Sequence, residues 1–160
     1  FDIKGKCTQC QSTSWCNRYE ALEVQKLIEK LLALGIDPKD IGVISPYFLQ
    51  VQMIKFQVEK LNANVTVGTV EEFQGQERLV IILSTVRTRQ SQLDLDVVRR
   101  IGFVQCPKRL NVAVSRARAL FIVCGDAQLL QSDDKWKSLI DGCKENATFI
   151  EVDTGIAKNT

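Results

Sequence analysis

Histidine is absent from this chain. That removes a Ser-His triad, a histidine general base and any zinc site that uses imidazole. A structural zinc would need four thiolates. The six cysteines include one Cys-x-x-Cys, Cys7-Thr-Gln-Cys10, with Cys16 close by and no second pair of that spacing. Cys106, Cys124 and Cys143 are scattered, and Cys124 sits in an apolar run that suits a small buried hydrophobe. A reduced protein fits this pattern better than a metal site or a secreted disulfide framework, so no metal site is expected. Long apolar runs are also missing. The longest, Leu79-Val-Ile-Ile-Leu83, is far too short to cross a bilayer, so membrane insertion is not expected. No leader-like segment is visible. Phe1 is not an initiator Met, so the chain is expected to be a piece of a longer protein. There is no Gly-x-x-x-x-Gly-Lys-Ser/Thr, and the run from Leu79 passes into Ser84-Thr85 rather than into an acid. The chain therefore lacks a phosphate cradle and a magnesium-binding carboxylate. Any work on a nucleoside triphosphate would use only part of a site. A net charge of +2 does not announce nucleic acid, so a basic surface must come from local clustering.

The composition that remains is globular: 160 residues, 45% hydrophobic and 25% charged, enough for a self-sufficient core. The chain reads as one domain over residues 1–160. Residues 1–16 are expected to hold a strand remnant and loop, and residues 155–160 to fray. Asn17-Arg-Tyr-Glu20 has the pattern of a capping box. The helix it opens carries Leu22, Leu27, Ile28, Leu31 and Leu32 and stops at Gly35. Ile41-Gly-Val-Ile-Ser45 reads as a buried strand. Pro46 is placed to open a helix carrying Val51, Ile54, Val58 and Leu61. Further strands are expected at residues 65–67, at 79–86 and, buried, at 119–124. Between the last two, Pro107 opens a helix. A helix over residues 135–144 and a strand over 148–152 follow. Alternating strands and helices imply an α/β fold, an open and mainly parallel sheet with helices on both faces.

In such sheets ligands gather beyond the carboxyl ends of the strands. Three segments are expected there: Ser45-Pro-Tyr47, Gln74-Gly-Gln-Glu77 and the loop from Arg87-Thr88. Glu71, Glu72 and Glu77 cluster in that zone, with a solvated acidic turn capped by Glu71 or Glu72 as the plainer reading. On the helix after Pro107, Leu110, Ala113, Val114 and Ala117 form an apolar stripe bordered by Arg109 and Arg116 on one side and Arg118 on the other. These arginines either snorkel over the core edge or reach a neighbouring domain, where a planar fixed charge suits phosphoryl oxygens. Gly75 either ends a short helix or allows close backbone approach to a ligand.

Three motifs carry a family resemblance over nearly the whole chain: Ile41-Gly-Val-Ile-Ser-Pro-Tyr47, Val67-Gly-Thr-Val-Glu-Glu-Phe-Gln-Gly-Gln-Glu77 and Arg109-Leu-Asn-Val-Ala-Val-Ser-Arg-Ala-Arg118. They resemble motifs IV, V and VI of the second RecA-like domain of superfamily 1 helicases. The branch is that of the nonsense-mediated-decay RNA helicase, and the Val-Glu-Glu-Phe-Gln-Gly-Gln-Glu form with the Ser-Thr-Val-Arg after the strand looks most like the Armitage-type helicases of small-RNA (piRNA) silencing. The resemblance implies an ATP-dependent RNA helicase half, inactive alone, that works with a first RecA-like domain of the same polypeptide. Arg116 corresponds to the arginine finger. Gln74, Gly75 and Glu77 correspond to the nucleotide side, and Pro46, Tyr47, Thr69 and Val70 to contacts with the nucleic-acid backbone. It also implies ATP and Mg2+ as cofactors, with the metal ligands outside this chain, and single-stranded RNA and silencing-pathway proteins as partners. A cytoplasmic location follows, ribonucleoprotein granules included. Ser115 replaces the commoner Thr of motif VI, a mild change. The competing expectation is a protein- or RNA-docking module that uses residues 7–16 and 87–105, neither explained by the three motifs.

Overall fold

The computed structural model describes residues 1–3, 7–9, 14–88 and 106–152. Its centre is a four-stranded parallel sheet: β4 (Ile41–Ile44), β5 (Thr66–Gly68), β6 (Arg78–Ser84) and β7 (Ala117–Cys124), ordered β5-β4-β6-β7. Three short strands precede it: β1 (Asp2–Ile3), β2 (Cys7–Gln9) and β3 (Trp15–Asn17). The last two pair antiparallel, and β1 pairs in parallel with the final strand β8 (Glu151–Val152). Within residues 1–16, expected to hold a strand remnant and loop, Asp2–Ile3 thus pair with a strand from the far end of the chain and Cys7–Gln9 with the neighbouring β3; the first of these pairings is not encoded locally. Residues 89–105 and 155–160, which bear on the loop and frayed-end expectations, lie outside the described residues, as does Cys10.

Alternation along β6 explains the two layers. Val80 and Ile82 face one cluster with Ile41 and Val43; Ile81 and Leu83 face the other with Ile44. The first cluster is closed by α1 (Arg18–Ala33) through Ala21, Val24, Leu27, Ile28 and Leu31, and by α2 (Phe48–Glu59) through Val51, Ile54 and Val58. The second is closed by Phe73, α3 (Pro107–Ser115), α4 (Ala127–Leu130) and α5 (Asp134–Glu145). Each Ile or Leu so buried contributes roughly 1.5–3 kcal/mol. Gly42 belongs to this packing, since a Cβ there would lie 2.7 Å from the Phe73 ring.

Local signals place most helix ends. Asn17 caps α1 by accepting from the N–H groups of Tyr19 and Glu20, and Gly35 follows the helix at φ +84. Pro46 does not open α2. The helix begins at Phe48 with Tyr47 as N-cap, because Ser45 N–H is still bonded across the sheet to Gly68 O at 3.1 Å. Pro107 does open its helix, but α3 stops at Ser115. Ala117 and Arg118 leave it for β7, so the expected stripe loses Ala117, and Val114 is exposed. Sheet pairing overrides helical periodicity here: Arg78 N–H donates to Arg116 O at 3.0 Å and starts the β6–β7 ladder. Nor is β7 a buried strand. Among the described residues it is the edge of the four-stranded sheet, and only Cys124 is buried along it. An apolar run alone does not distinguish edge from centre.

Candidate functional site

Because β4, β5, β6 and β7 all run parallel, the sheet has one carboxyl edge and one amino edge. Ser45 to Tyr47 leave β4 at the carboxyl edge, Thr69 and Val70 leave β5 there, and Thr85 to Thr88 leave β6 there. Gln74, Gly75 and Glu77 do not join them, which corrects the expectation that placed them beyond the carboxyl ends. They precede β6 and lie at its amino end, beside Arg116 at the amino end of β7. Residues 69–77 therefore cross from one edge of the sheet to the other. The motif residues fall into two groups, one at each edge, joined by that crossover.

The crossover is a compact turn. Thr69 N–H donates to Glu72 Oε2 at 2.6 Å and Glu72 N–H donates to Thr69 Oγ1 at 3.3 Å, a reciprocal cap. Glu71 makes an ion pair with Arg109 at 3.0 Å, tying the turn to α3. Glu72 thus caps the turn, in line with the plainer reading of the cluster, while Glu71 is held by the ion pair to Arg109. Glu77 is different: its side chain is exposed and makes no hydrogen bond or ion pair among the described residues. Its main-chain oxygen accepts from Arg78 Nη1 at 2.8 Å, which holds the chain entering β6. Gly75 has φ +75, and a Cβ built there meets nothing within 4 Å. Its left-handed conformation accounts for the glycine, and the open space leaves room for a ligand to approach the backbone.

Arg116 is half-buried at the end of α3. Its Nε donates to Val112 O at 3.3 Å and its Nη2 to Ser115 Oγ at 3.0 Å, while Ser115 Oγ donates to Val112 O at 2.9 Å. Ser115 thereby rests the guanidinium on its own helix end through weak, partly solvated bonds. These are easily exchanged for an anionic ligand. Arg118 is exposed on β7.

The carboxyl edge is built differently. Val70 is buried in the second core cluster and Tyr47 is 2% exposed, so neither offers a free side chain; Pro46 and Thr69 are half-buried. Tyr47 belongs to a small cluster with Trp15 and Val86. The Arg87 guanidinium lies 4.3 Å from the Trp15 ring centre and 4.6 Å from that of Tyr47, and Arg87 Nε donates to Tyr47 Oη at 2.8 Å. Behind this stack lies a buried polar network. Gln50 accepts from Asn17 N–H at 2.8 Å and donates to Asn17 O at 3.1 Å and to Ser84 Oγ at 3.0 Å. Ser84 Oγ donates to Glu20 Oε2 at 2.7 Å. Burial pushes the Glu20 carboxyl up to about 7, against the lowering effect of its hydrogen bonds with Ser84 and the Val86 and Thr85 main chain; the nearby Asp126 carboxylate adds to the rise. Sequence reading missed Trp15, Gln50, Ser84 and Arg87 as a unit because their partners are distant in the chain, Arg87 stacking on Trp15 from 72 positions away. It noted Glu20 only as a capping residue. Burial likewise pushes the Cys124 thiol up to about 12, as suits an inert buried hydrophobe.

A parallel α/β sheet with helices on both faces, carrying an arginine and an exposed carboxylate at one edge and a braced aromatic cluster at the other, is a RecA-like arrangement. Residues 1–128 match the AAA domain family, and the chain belongs to it. It is similar to the Drosophila melanogaster protein named as the probable RNA helicase armi, at 42% identity over 89% of this chain and 12% of that protein. It is also similar to the Mus musculus RNA helicase Mov10l1, at 37% identity over 89% of this chain and 12% of the relative. The Dictyostelium discoideum regulator of nonsense transcripts 1 is 39% identical over 87% of this chain and 10% of its own length. The chain thus spans a small fraction of the relatives it matches.

Proposed function

We propose that this chain is the second RecA-like half of an ATP-dependent RNA helicase, acting in RNA silencing or RNA decay. The observation that carries the reading is the crossover of residues 69–77, whose two ends lie at the two groups of motif residues. A segment of this kind gives ATP state a direct route to the grip on RNA.

The amino edge fits part of a nucleotide site. Glu77 offers an exposed carboxylate suited to ribose hydroxyls, Gln74 and Gly75 supply an open turn, and Arg116 brings a cation held only by weak local bonds. ATP would supply the phosphoryl bond that is broken, and the Arg116 guanidinium would neutralise charge on the transferring group. Among the described residues no three His, Cys, Asp or Glu side chains come together to hold a metal. In this reading the Mg2+ ligands and the phosphate cradle belong to the first RecA-like domain. At the carboxyl edge Pro46, Tyr47, Thr69 and Val70 meet the backbone of single-stranded RNA. With Tyr47 and Val70 buried, they do so through main-chain groups and the Pro46 and Thr69 side chains. Silencing-pathway proteins are further partners, in the cytoplasm and its ribonucleoprotein granules. Among the described residues no helix is long and apolar enough to cross a membrane.

ATPase and RNA-binding assays on the isolated chain, beside the full-length protein, test this reading. The isolated chain is expected to show essentially no ATPase activity and only weak RNA binding, because it holds half of each site and a net charge of +2. Robust turnover by the 160-residue chain, or tight saturable RNA binding, overturns it.

A further inference from the structure

Glu20 is fully buried. Three donor groups converge on it. Val86 N–H reaches Oε2 at 2.9 Å and Oε1 at 3.1 Å, Ser84 Oγ donates at 2.7 Å, and Asn17 Nδ2 donates to Oε1 at 3.2 Å. Burying an ionisable group is costly unless it is so satisfied. The group it holds is itself strained: Val86, a β-branched residue, sits at φ +72. Such a conformation persists only where its surroundings over-determine it. Val86 leads directly into Arg87 and its stack on Trp15 and Tyr47. The same brace reaches α2, since Gln50 binds both Asn17 and Ser84. Glu20 is therefore the point where the start of α1, the end of β6 and the segment after it are tied together, with α2 joined through Ser84 and Gln50.

We propose that Glu20 is a positioning residue: by holding Val86 in its left-handed turn it fixes the Trp15–Arg87–Tyr47 stack, and so sets the main-chain path that the carboxyl edge presents to RNA. The proposal rests on the reading of that edge as the RNA side. The test uses the full-length protein. Glu20→Met keeps the volume and removes every acceptor. Glu20→Gln keeps a carboxamide oxygen for Val86 N–H and an NH2 group that Ser84 Oγ accepts from. In RNA-stimulated ATPase assays Glu20→Met is expected to raise the KM for RNA about tenfold, the size expected from losing a hold on a strained residue, with kcat at saturating RNA little changed. Glu20→Gln is expected to restore most of that affinity. Amide hydrogen exchange of the peptide over residues 84–88 is expected to speed up in Glu20→Met alone. Unchanged protection of that peptide overturns the positioning role. So do equal losses of kcat and RNA affinity without rescue by Gln, which mark a merely structural residue. Loosened protection with an unchanged KM for RNA leaves Glu20 as the positioning group and overturns the RNA reading of this edge. Should Glu20→Met fail to fold, Ser84→Ala removes one of the donors to Glu20, together with the acceptor of Gln50 Nε2, and is expected to give a smaller rise in the KM for RNA; unchanged KM and unchanged protection there overturn the proposal.

Discussion

Gln74, Gly75 and Glu77 stand exposed at the amino end of β6, whereas at the carboxyl edge of the sheet Tyr47 is 2% and Arg87 1% exposed. At the amino edge the candidate site side chains lack strong partners among the described residues. Glu77 makes no ion pair among the described residues, and Arg116 rests on its own helix end through Ser115 and Val112. At the carboxyl edge Glu20, Asn17, Gln50 and Ser84 engage one another and the Val86 main chain inside the domain. In the proposed reading, one edge is prepared for a ligand and a partner surface that lie elsewhere. The other is shaped in advance by its own interior. Preorganisation suits a main-chain surface that grips a backbone, and exposed, loosely held charges suit a site completed by a second domain.

If that contrast is right, the two edges respond differently to substitution. The largest effect is expected at the amino edge. In the full-length protein Arg116→Ala should lower ATP turnover by roughly a thousandfold or more while sparing much of ATP binding. Stability should barely change, because the guanidinium is half-exposed and only locally bonded. Steady-state ATPase and nucleotide-binding titrations check this, and near-normal turnover would break the assignment.

At the carboxyl edge the expected effect is on stability and on pH. Glu20 has its folded-state pKa raised from 4.5 to about 7 by burial. The folded state therefore holds this proton more tightly than the unfolded state. The contribution is fully present below pH 4.5 and is lost as pH rises through about 7. Its size is about 3 kcal/mol, on the scale of 1.36 kcal/mol per pKa unit. Glu20→Gln, which cannot ionise, should flatten the slope of stability between those pH values; the Asp126 carboxylate nearby is left in place. Urea denaturation across that range measures it, and an unchanged slope in the variant would show that another group carries the dependence.

The smallest stability effect belongs to the crossover. Gly75→Ala meets no atom but must adopt φ +75, so a loss of about 1–2 kcal/mol is expected from the left-handed backbone alone. If the open space around Gly75 is used by nucleotide, RNA-stimulated turnover should fall further than that stability loss explains. Melting and turnover measured on the same variant separate the two. A lowered melting point with normal turnover would reduce Gly75 to a turn residue.

Much of this organisation could be read along the chain. Asn17 before α1, Gly35 after it and Pro107 at the start of α3 stand where local hydrogen bonding and φ preferences put them. The continuous apolar run of β6 is a strand covered on both faces, as its composition says. Reading failed where pairing partners are distant. β7 looked buried and is an edge; Pro46 looked like a helix start and precedes one; Asp2–Ile3 pair with β8 from the far end of the chain. Placing Gln74–Glu77 at the carboxyl ends was the same kind of error. A motif does not say which end of a strand it abuts.

The residues themselves thus determined the α/β class, the caps and the three motifs, because periodicity, propensity and local hydrogen bonds act within a few residues of the chain. Only the tertiary structure decided that motif V spans the sheet from edge to edge, and that a capping glutamate is also the buried anchor of a strained valine 66 positions away. Strand direction, strand order and burial depend on contacts between segments far apart in sequence, and no local pattern encodes them.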